Sequence, residues 1–165
     1  NARKAIEWPS MTSSVSFIED TLRREGPMHT SNAENDLNPS WDGTLMSRMG
    51  IRVVSATAQL TILEMPVVGN TQPHGLLHGG ASAVLAETAA SHAAQLHACA
   101  FSDRAVAVGV ELNISHLTPG RAQNVHAIAV ADHLGKTSTV HTVTITDEDD
   151  HVLAVARVSN RILHS

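Results

Sequence analysis

The sequence predicts an α+β fold in which one curved antiparallel sheet wraps a single long helix. Three observations carry this expectation. The stretch Ala81–Ala100 is dense in alanine, the residue with the strongest intrinsic helix preference. Segments rich in Val, Thr and Ile precede and follow it and read as strands. Their order is two strands, the helix, then four strands, without the regular βα alternation of a parallel sheet.

The elements follow in chain order. Residues 1–40 are polar, punctuated by Pro9, Pro27 and Pro39, and read as an N-terminal extension, an arm or a substrate-covering lid. Within them Ser16-Phe17-Ile18-Glu19 fits a capping box opening a short helix to about Arg24. Residues 41–165 form the one expected domain. Trp41–Met49 reads as a short helix stopped by Gly50. Ile51–Thr57 and Gln59–Met65 read as strands, the second ending before Pro66. Gly69, Asn70, Pro73 and Gly75 make Val67–Leu77 a loop. After the helix, Val106, Val108, Val110, Leu112 and Ile114 alternate with the period of a half-buried strand. Pro119-Gly120 turns the chain, and Val125–Ala131, Ser138–Thr146 and Val152–Ile162 complete the sheet.

Composition bounds the function. A chain of 165 residues, 42% hydrophobic, suffices for one domain with one core. Only 2% of residues are aromatic, so small aliphatic side chains must fill that core and backbones must approach closely. The net charge of −5, with no Lys/Arg-rich block, argues against nucleic acid or an anionic membrane as the main partner. The longest apolar segment carries Glu87, His92, Gln95 and His97, too polar for a membrane span. Cys99 is the sole cysteine and the N-terminus lacks an apolar leader run, which together lead to the expectation of a cytoplasmic protein. The chain begins at Asn1 rather than Met, which leaves a trimmed targeting segment open.

The chemistry concentrates in Gln72–Ser91, QPHGLLHGGASAVLAETAAS. Gly79-Gly80 opens the long helix, where unpaired N–H groups and the helix dipole suit an oxygen acquiring negative charge. Two turns in, Glu87 sits among Val84, Leu85, Ala86, Ala89 and Ala90, and reads as a buried carboxylate. Ser91, four residues on, shares its face and can touch the same water. In an acyl-transfer reading the Gly79 N–H polarises a carbonyl, Glu87 attacks the carbon or activates water, and Ser91 positions that water. Gly79 and Glu87 are separated by about 12 Å along a helix rising 1.5 Å per residue, too far to serve one carbonyl. Two antiparallel helices from a two-fold dimer would resolve this, the Gly79 start of one facing Glu87 of the other. The bland alternatives remain a solvated Glu87 and a mere tight turn at Gly79-Gly80. His74 and His78 have metal-ligand spacing, but Pro73 and Gly75 place them in a loop without a partner at motif spacing, so no metal is expected.

On these residues the chain resembles the hotdog-fold acyl-CoA thioesterases, in particular the branch of 4-hydroxybenzoyl-CoA thioesterase and the enterobactin proofreading thioesterase. The matching segments are Gln72, His78-Gly79-Gly80-Ala81-Ser82, Leu85-Ala86-Glu87-Thr88 and Ser91, then Val108–Asn113 and His133-Leu134-Gly135-Lys136, covering roughly residues 41–163. The resemblance implies a homodimer paired through its sheets, with a dimer-of-dimers tetramer expected. It implies Glu87 as the catalytic carboxylate, Gly79 as amide donor to the thioester oxygen, Gln72 and His78 as thioester-binding groups, and Ser91 as the hydroxyl that assists water. It further implies coenzyme A contacts from His116 and from a loop of His133, Leu134, Gly135, Lys136, Thr137 and Ser138, with Lys136 a phosphate partner. Thr118 stands where relatives often carry Arg before the proline, which points to weaker nucleotide binding or to Arg121 or Arg161 instead. The expected reaction is hydrolysis of acyl-CoA to acid and coenzyme A without a cofactor, the acyl group aromatic first and medium-chain next. The alternatives are a non-catalytic acyl-CoA-binding module and a hotdog hydratase, whose Asp–His pair is not evident.

Overall fold

The computed structural model describes residues 41–164, so the expected arm and its Ser16–Arg24 helix lie outside the described residues. The Trp41–Met49 helix is shorter than expected. A turn over 41–44, held by the Thr44 hydroxyl on the Trp41 carbonyl, precedes α1, Leu45–Arg48. Gly50 at φ +68 then ends it: the Gly50 N–H reaches Ser47 O at 3.2 Å and the Ile51 N–H reaches Met46 O at 3.0 Å. That paired closure needs a left-handed residue, which glycine supplies without strain.

Six strands follow the expected order: β1 Arg52–Ala56, β2 Leu60–Pro66, then α2 Gly79–Cys99, then β3 Val106–His116, β4 Asn124–Leu134, β5 Ser138–Thr146 and β6 Val152–Leu163. They form one antiparallel sheet ordered β1-β2-β4-β5-β6-β3. Pro66 lies inside β2, opposite Asn124, rather than beyond its end. A proline is tolerated at the last position of a strand because few ladder bonds remain to be lost. β4 runs on to Leu134 through an irregularity between Ala131 and His133.

The core is the seam between α2 and the sheet. Leu85, Ala86, Ala89 and Ala90 are fully buried against Leu63, Met65, Val125, Ala127, Val143, Ile145 and Val158. Alanine at the contact lets the helix axis lie close to the sheet, as the scarcity of aromatics requires. Such a smooth face needs other means to fix its axial position. Gln95 supplies one: its amide donates to Ala105 O at 3.0 Å and accepts from the Ala107 N–H at 2.9 Å, clasping α2 to β3. Among the described residues no helix is long and apolar enough to cross a membrane.

β3 departs from expectation. Its five apolar residues do not share one face, because a bulge between Gly109 and Glu111 shifts the alternation. Leu112 and Ile114 pack on the core, while Val106, Val108 and Val110 are exposed. β3 is also an edge strand, so among the described residues its outer backbone groups face no neighbouring strand.

Three polar residues sit on the inward face of β5 and β6 and are fully buried: Thr139, His141 and Asn160. His141 Nε2 donates to the Ala58 carbonyl at 3.2 Å, which leaves Nδ1 without a partner among the described residues. Burial pushes the His141 pKa below its ordinary 6.5; the Ala58 bond and Asp132 oppose this, and His97 reinforces it. The folded state therefore holds the ring neutral, and the unfolded chain takes up the proton first. The His141 ring costs no stability well above pH 6.5, and its penalty grows as pH drops through that value toward the lowered one. We expect the unfolding midpoint in urea to decline below pH 6.5 and the decline to be shallower in His141→Gln; identical slopes in the two proteins would contradict the assignment.

Candidate active site

The amino end of α2 is built by the loop before it. His78 is the N-cap, extended at φ −73 and ψ 129, and its Nδ1 accepts the Gly80 N–H at 2.8 Å. Its carbonyl accepts from Ala81 and Ser82, and its own N–H donates to Asn70 O at 2.9 Å. The Gly79 N–H meets no acceptor among the described residues and is the donor left over at the dipole's positive end. Because Nδ1 accepts, the neutral ring carries its proton on Nε2. At Gly79 the approach is close. A Cβ on it would lie 2.9 Å from His116 Nε2, so the imidazole from the end of β3 rests directly on the helix start.

A cavity of about 370 Å³ opens at this point, lined by Gln72, Gly79, Ser82, His116 and Thr118 over an apolar floor of Leu77, Gly120 and Leu153. Gln72 is fixed by its backbone, its N–H on Leu76 O at 2.8 Å and its carbonyl accepting the Gly75 N–H at 2.9 Å. The structure thus brings Gln72, Gly79 and His116 together. His78 faces a second depression with Gly80, Ala81 and Asn70. Arg121 follows the cavity floor directly and is exposed.

Glu87 and Ser91 lie apart from this cavity. In the single chain Glu87 is exposed rather than buried. The buried face is occupied by Ala86, Ala89, Ala90 and Ala93, and the 100° step per residue turns Glu87 off it, toward β3. There Gly109 makes room: a Cβ at that position would stand 2.7 Å from Glu87 Oε1. Ser91 Oγ donates to Asn160 Oδ1 at 2.9 Å. Asn160 was not among the residues that sequence reasoning selected. Its signal was available: Ala154, Ala156, Val158, Asn160 and Ile162 form the inward phase of β6, and only one of them is polar. Burying an amide N–H without a partner costs about 1–3 kcal/mol, so its presence calls for a reason.

The third group lies at the other end of the helix. Only Gly135–Thr137 forms the connection expected over His133–Ser138; His133 and Leu134 end β4 and Ser138 begins β5. This hairpin is tied to the last turn of α2 by His97 Nε2 on Gly135 O at 3.0 Å, and to the end of β6 by the Ile162 N–H on Thr137 O at 2.9 Å. Lys136 is exposed at its tip. Within one chain, His116 and this hairpin therefore stand at opposite ends of α2. Among the described residues no group of three His, Cys, Asp or Glu side chains is placed to hold a metal.

A donor-bearing helix start and an acid two turns along, both facing β3 of a sheet that wraps the helix, agree with what the chain is similar to. The family model described as thioesterase superfamily matches residues 74–154, a span that includes Gly79, Glu87 and Ser91 and stops short of Asn160. A putative esterase of Bacillus subtilis is 40% identical over 127 residues, covering 73% of this chain and 94% of that protein. The chain belongs to the thioesterase superfamily. It is a thioester hydrolase of the hotdog fold. Among its superfamily relatives, a 1,4-dihydroxy-2-naphthoyl-CoA hydrolase of Listeria monocytogenes is 38% identical, covering 68% of this chain and 90% of that one. A proofreading thioesterase of Klebsiella pneumoniae is 37% identical, covering 77% and 91%. The crystal structure of a mutant thioesterase from Pseudomonas aeruginosa superposes with a TM-score of 0.73 at 34% identity, covering 82% of this chain and 96% of that one.

The cavity floor of this hydrolase is tight. A Cβ on buried Gly120 would meet Leu77 Cβ at 3.0 Å and Leu153 Cδ1 at 3.1 Å. Gly120→Ala is expected to cost about 1–3 kcal/mol through overpacking, seen as a lower urea midpoint. An unchanged midpoint would show that the floor has slack.

Proposed function

We propose that this hydrolase cleaves acyl-CoA thioesters at two sites shared across a homodimer, each combining Gly79 of one chain with Glu87 of the other. The observation that carries the reading is the separation of the half-sites. The cavity at Gly79 is lined by neither Glu87 nor Ser91, and the helix rise keeps the two points about 12 Å apart. Both half-sites border β3, Gly79 against His116 and Glu87 against Gly109. Among the described residues β3 is an unpaired edge with exposed Val106, Val108 and Val110. Antiparallel pairing of this strand with its copy satisfies the edge and brings the Gly79 end of one helix to Glu87 of the other. The same operation carries the Gly135–Thr137 hairpin of one chain to the His116 end of its partner, which reconciles their separation within one chain.

In this reading the Gly79 N–H holds the thioester oxygen as negative charge develops on it, aided by Gln72 and His78. Glu87 acts as nucleophile or as general base toward water. The acyl carbon gains the water oxygen, the C–S bond breaks, and the departing thiolate takes up a proton to give acid and coenzyme A. His116, Arg121 and Lys136 serve the coenzyme A portion, which is part of the substrate; no cofactor enters. The naphthoyl-CoA hydrolase among the relatives supports an aromatic acyl group ahead of a medium-chain one.

A panel of benzoyl, phenylacetyl and straight-chain acyl-CoAs, read by release of free thiol, should show turnover highest for the aromatic members. Glu87→Ala should lower kcat by about a hundredfold or more while substrate still binds. Near-normal turnover in that variant means another group does the chemistry, and tight binding without thiol release by the unmodified protein favours a binding module. Shared sites have a sharper consequence. Glu87→Ala and Gln72→Ala chains, each nearly inactive alone, should regain activity when mixed and allowed to exchange, because one site of the mixed dimer holds both intact residues. No recovery in verified mixed dimers places all the machinery in one chain.

A further inference from the structure

We infer that Asn160 is a positioning residue that fixes the direction of the Ser91 hydroxyl, so that Ser91 meets the hydrolytic water only as a hydrogen-bond acceptor. This rests on the reading of Glu87 and Ser91 as one half of the hydrolytic site. A serine hydroxyl has one proton to give, and Asn160 Oδ1 can only accept. The 2.9 Å bond from Ser91 Oγ to Asn160 Oδ1 commits that proton inward. The lone pairs of Oγ are left for whatever approaches from the open side of the helix.

The neighbouring geometry gives this a target. The Cβ position of Gly109 lies 2.7 Å from Glu87 Oε1 and 3.8 Å from Asn160 Oδ1, so the carboxylate and the amide flank the same glycine. A water between Ser91 and Glu87 then donates one proton to each and keeps a lone pair for the acyl carbon. A serine with a free proton would instead bond the carboxylate, or the very lone pair that must attack.

The Ser91 bond contributes about 0.5–1.5 kcal/mol, which the burial of the other end of the amide offsets. Asn160 is fully buried, and its Nδ2 has no partner among the described residues. Its cross-strand neighbour Thr139 likewise leaves Oγ1 without one. An apolar side chain of similar volume would remove that burden.

The test is a double-mutant cycle on Ser91→Ala and Asn160→Leu, with kcat, KM and melting temperature measured for all four proteins on the best acyl-CoA of the panel. Asn160→Leu should lower kcat about tenfold at near-constant KM, with a melting temperature equal to or above that of the unmodified protein. In the Ser91→Ala background the same change should cost nothing further. Asn160→Ala, which removes the amide without adding bulk, should show the same non-additivity if leucine crowds the site. A full further loss in the Ser91→Ala background overturns the inference while leaving the proposed hydrolysis intact. So does a fall in melting temperature that parallels the fall in kcat for both Asn160 variants. A folded, unmodified protein inert toward every thioester overturns the functional reading, and this inference with it.

Discussion

The close seating of an alanine surface on a β-sheet underlies the rest of this molecule. Leu85, Ala86, Ala89 and Ala90 are fully buried against the sheet, and with so few aromatic residues nothing bulkier separates the layers. That proximity decides what the helix can present elsewhere. Its amino terminus meets the last residue of β3, where His116 lies on Gly79, and its middle meets Gly109, beside which the Glu87 carboxylate lies closely. Both contacts would be lost if the layers stood a methyl group further apart.

The division of labour along α2 follows from the same packing. One stripe is committed to the core and cannot carry chemistry, so the acid and its serine occupy the flank that faces β3. Among the described residues the acid is exposed, the edge strand beside it is unpaired, and the donor it would work with on the proposed reading is two turns away. On that reading, a carboxylate left open in this manner is what a half-site awaiting its symmetry mate would show. The exposed valines of β3 are read in the same way, since apolar residues along an unpaired edge are otherwise an aggregation hazard.

Much of this was legible in the sequence. Alanine density and the alternation of Val, Thr and Ile placed the long helix and all the described strands within a few residues, and the glycine-led helix start with Glu87 and Ser91 pointed to the chemistry. The errors have physical causes. The phase of β3 depended on a bulge at Gly109–Glu111, set by close approach to the helix rather than by local propensity. The exposure of Glu87 depended on where the helix was rotated, and apolar neighbours on both sides concealed that. Pro66 stayed in its strand because of the partner strand at Asn124 and not because of its own preference. Asn160 lay outside the motif that drew attention, and its bond to Ser91 emerges only once β6 is folded under the helix.

The Gln95 clasp has a consequence for catalysis. An alanine cylinder offers almost no relief, so packing alone would let it slide along its own axis at little cost. Gln95 lies as many residues beyond Glu87 as Gly79 lies before it, and its two bonds to the backbone at Ala105 and Ala107 anchor the shaft. On the proposed reading the helix works as a graduated rod, with Gln95 one of its pins, whose other marks set where the oxygen would be held and where the acid stands. A loosened pin would displace both marks together and leave the interval between them unchanged. In the two-fold pair proposed above that shared displacement no longer cancels, and the distance across each site depends on how firmly Gln95, together with Ser91 and His97, holds the helix.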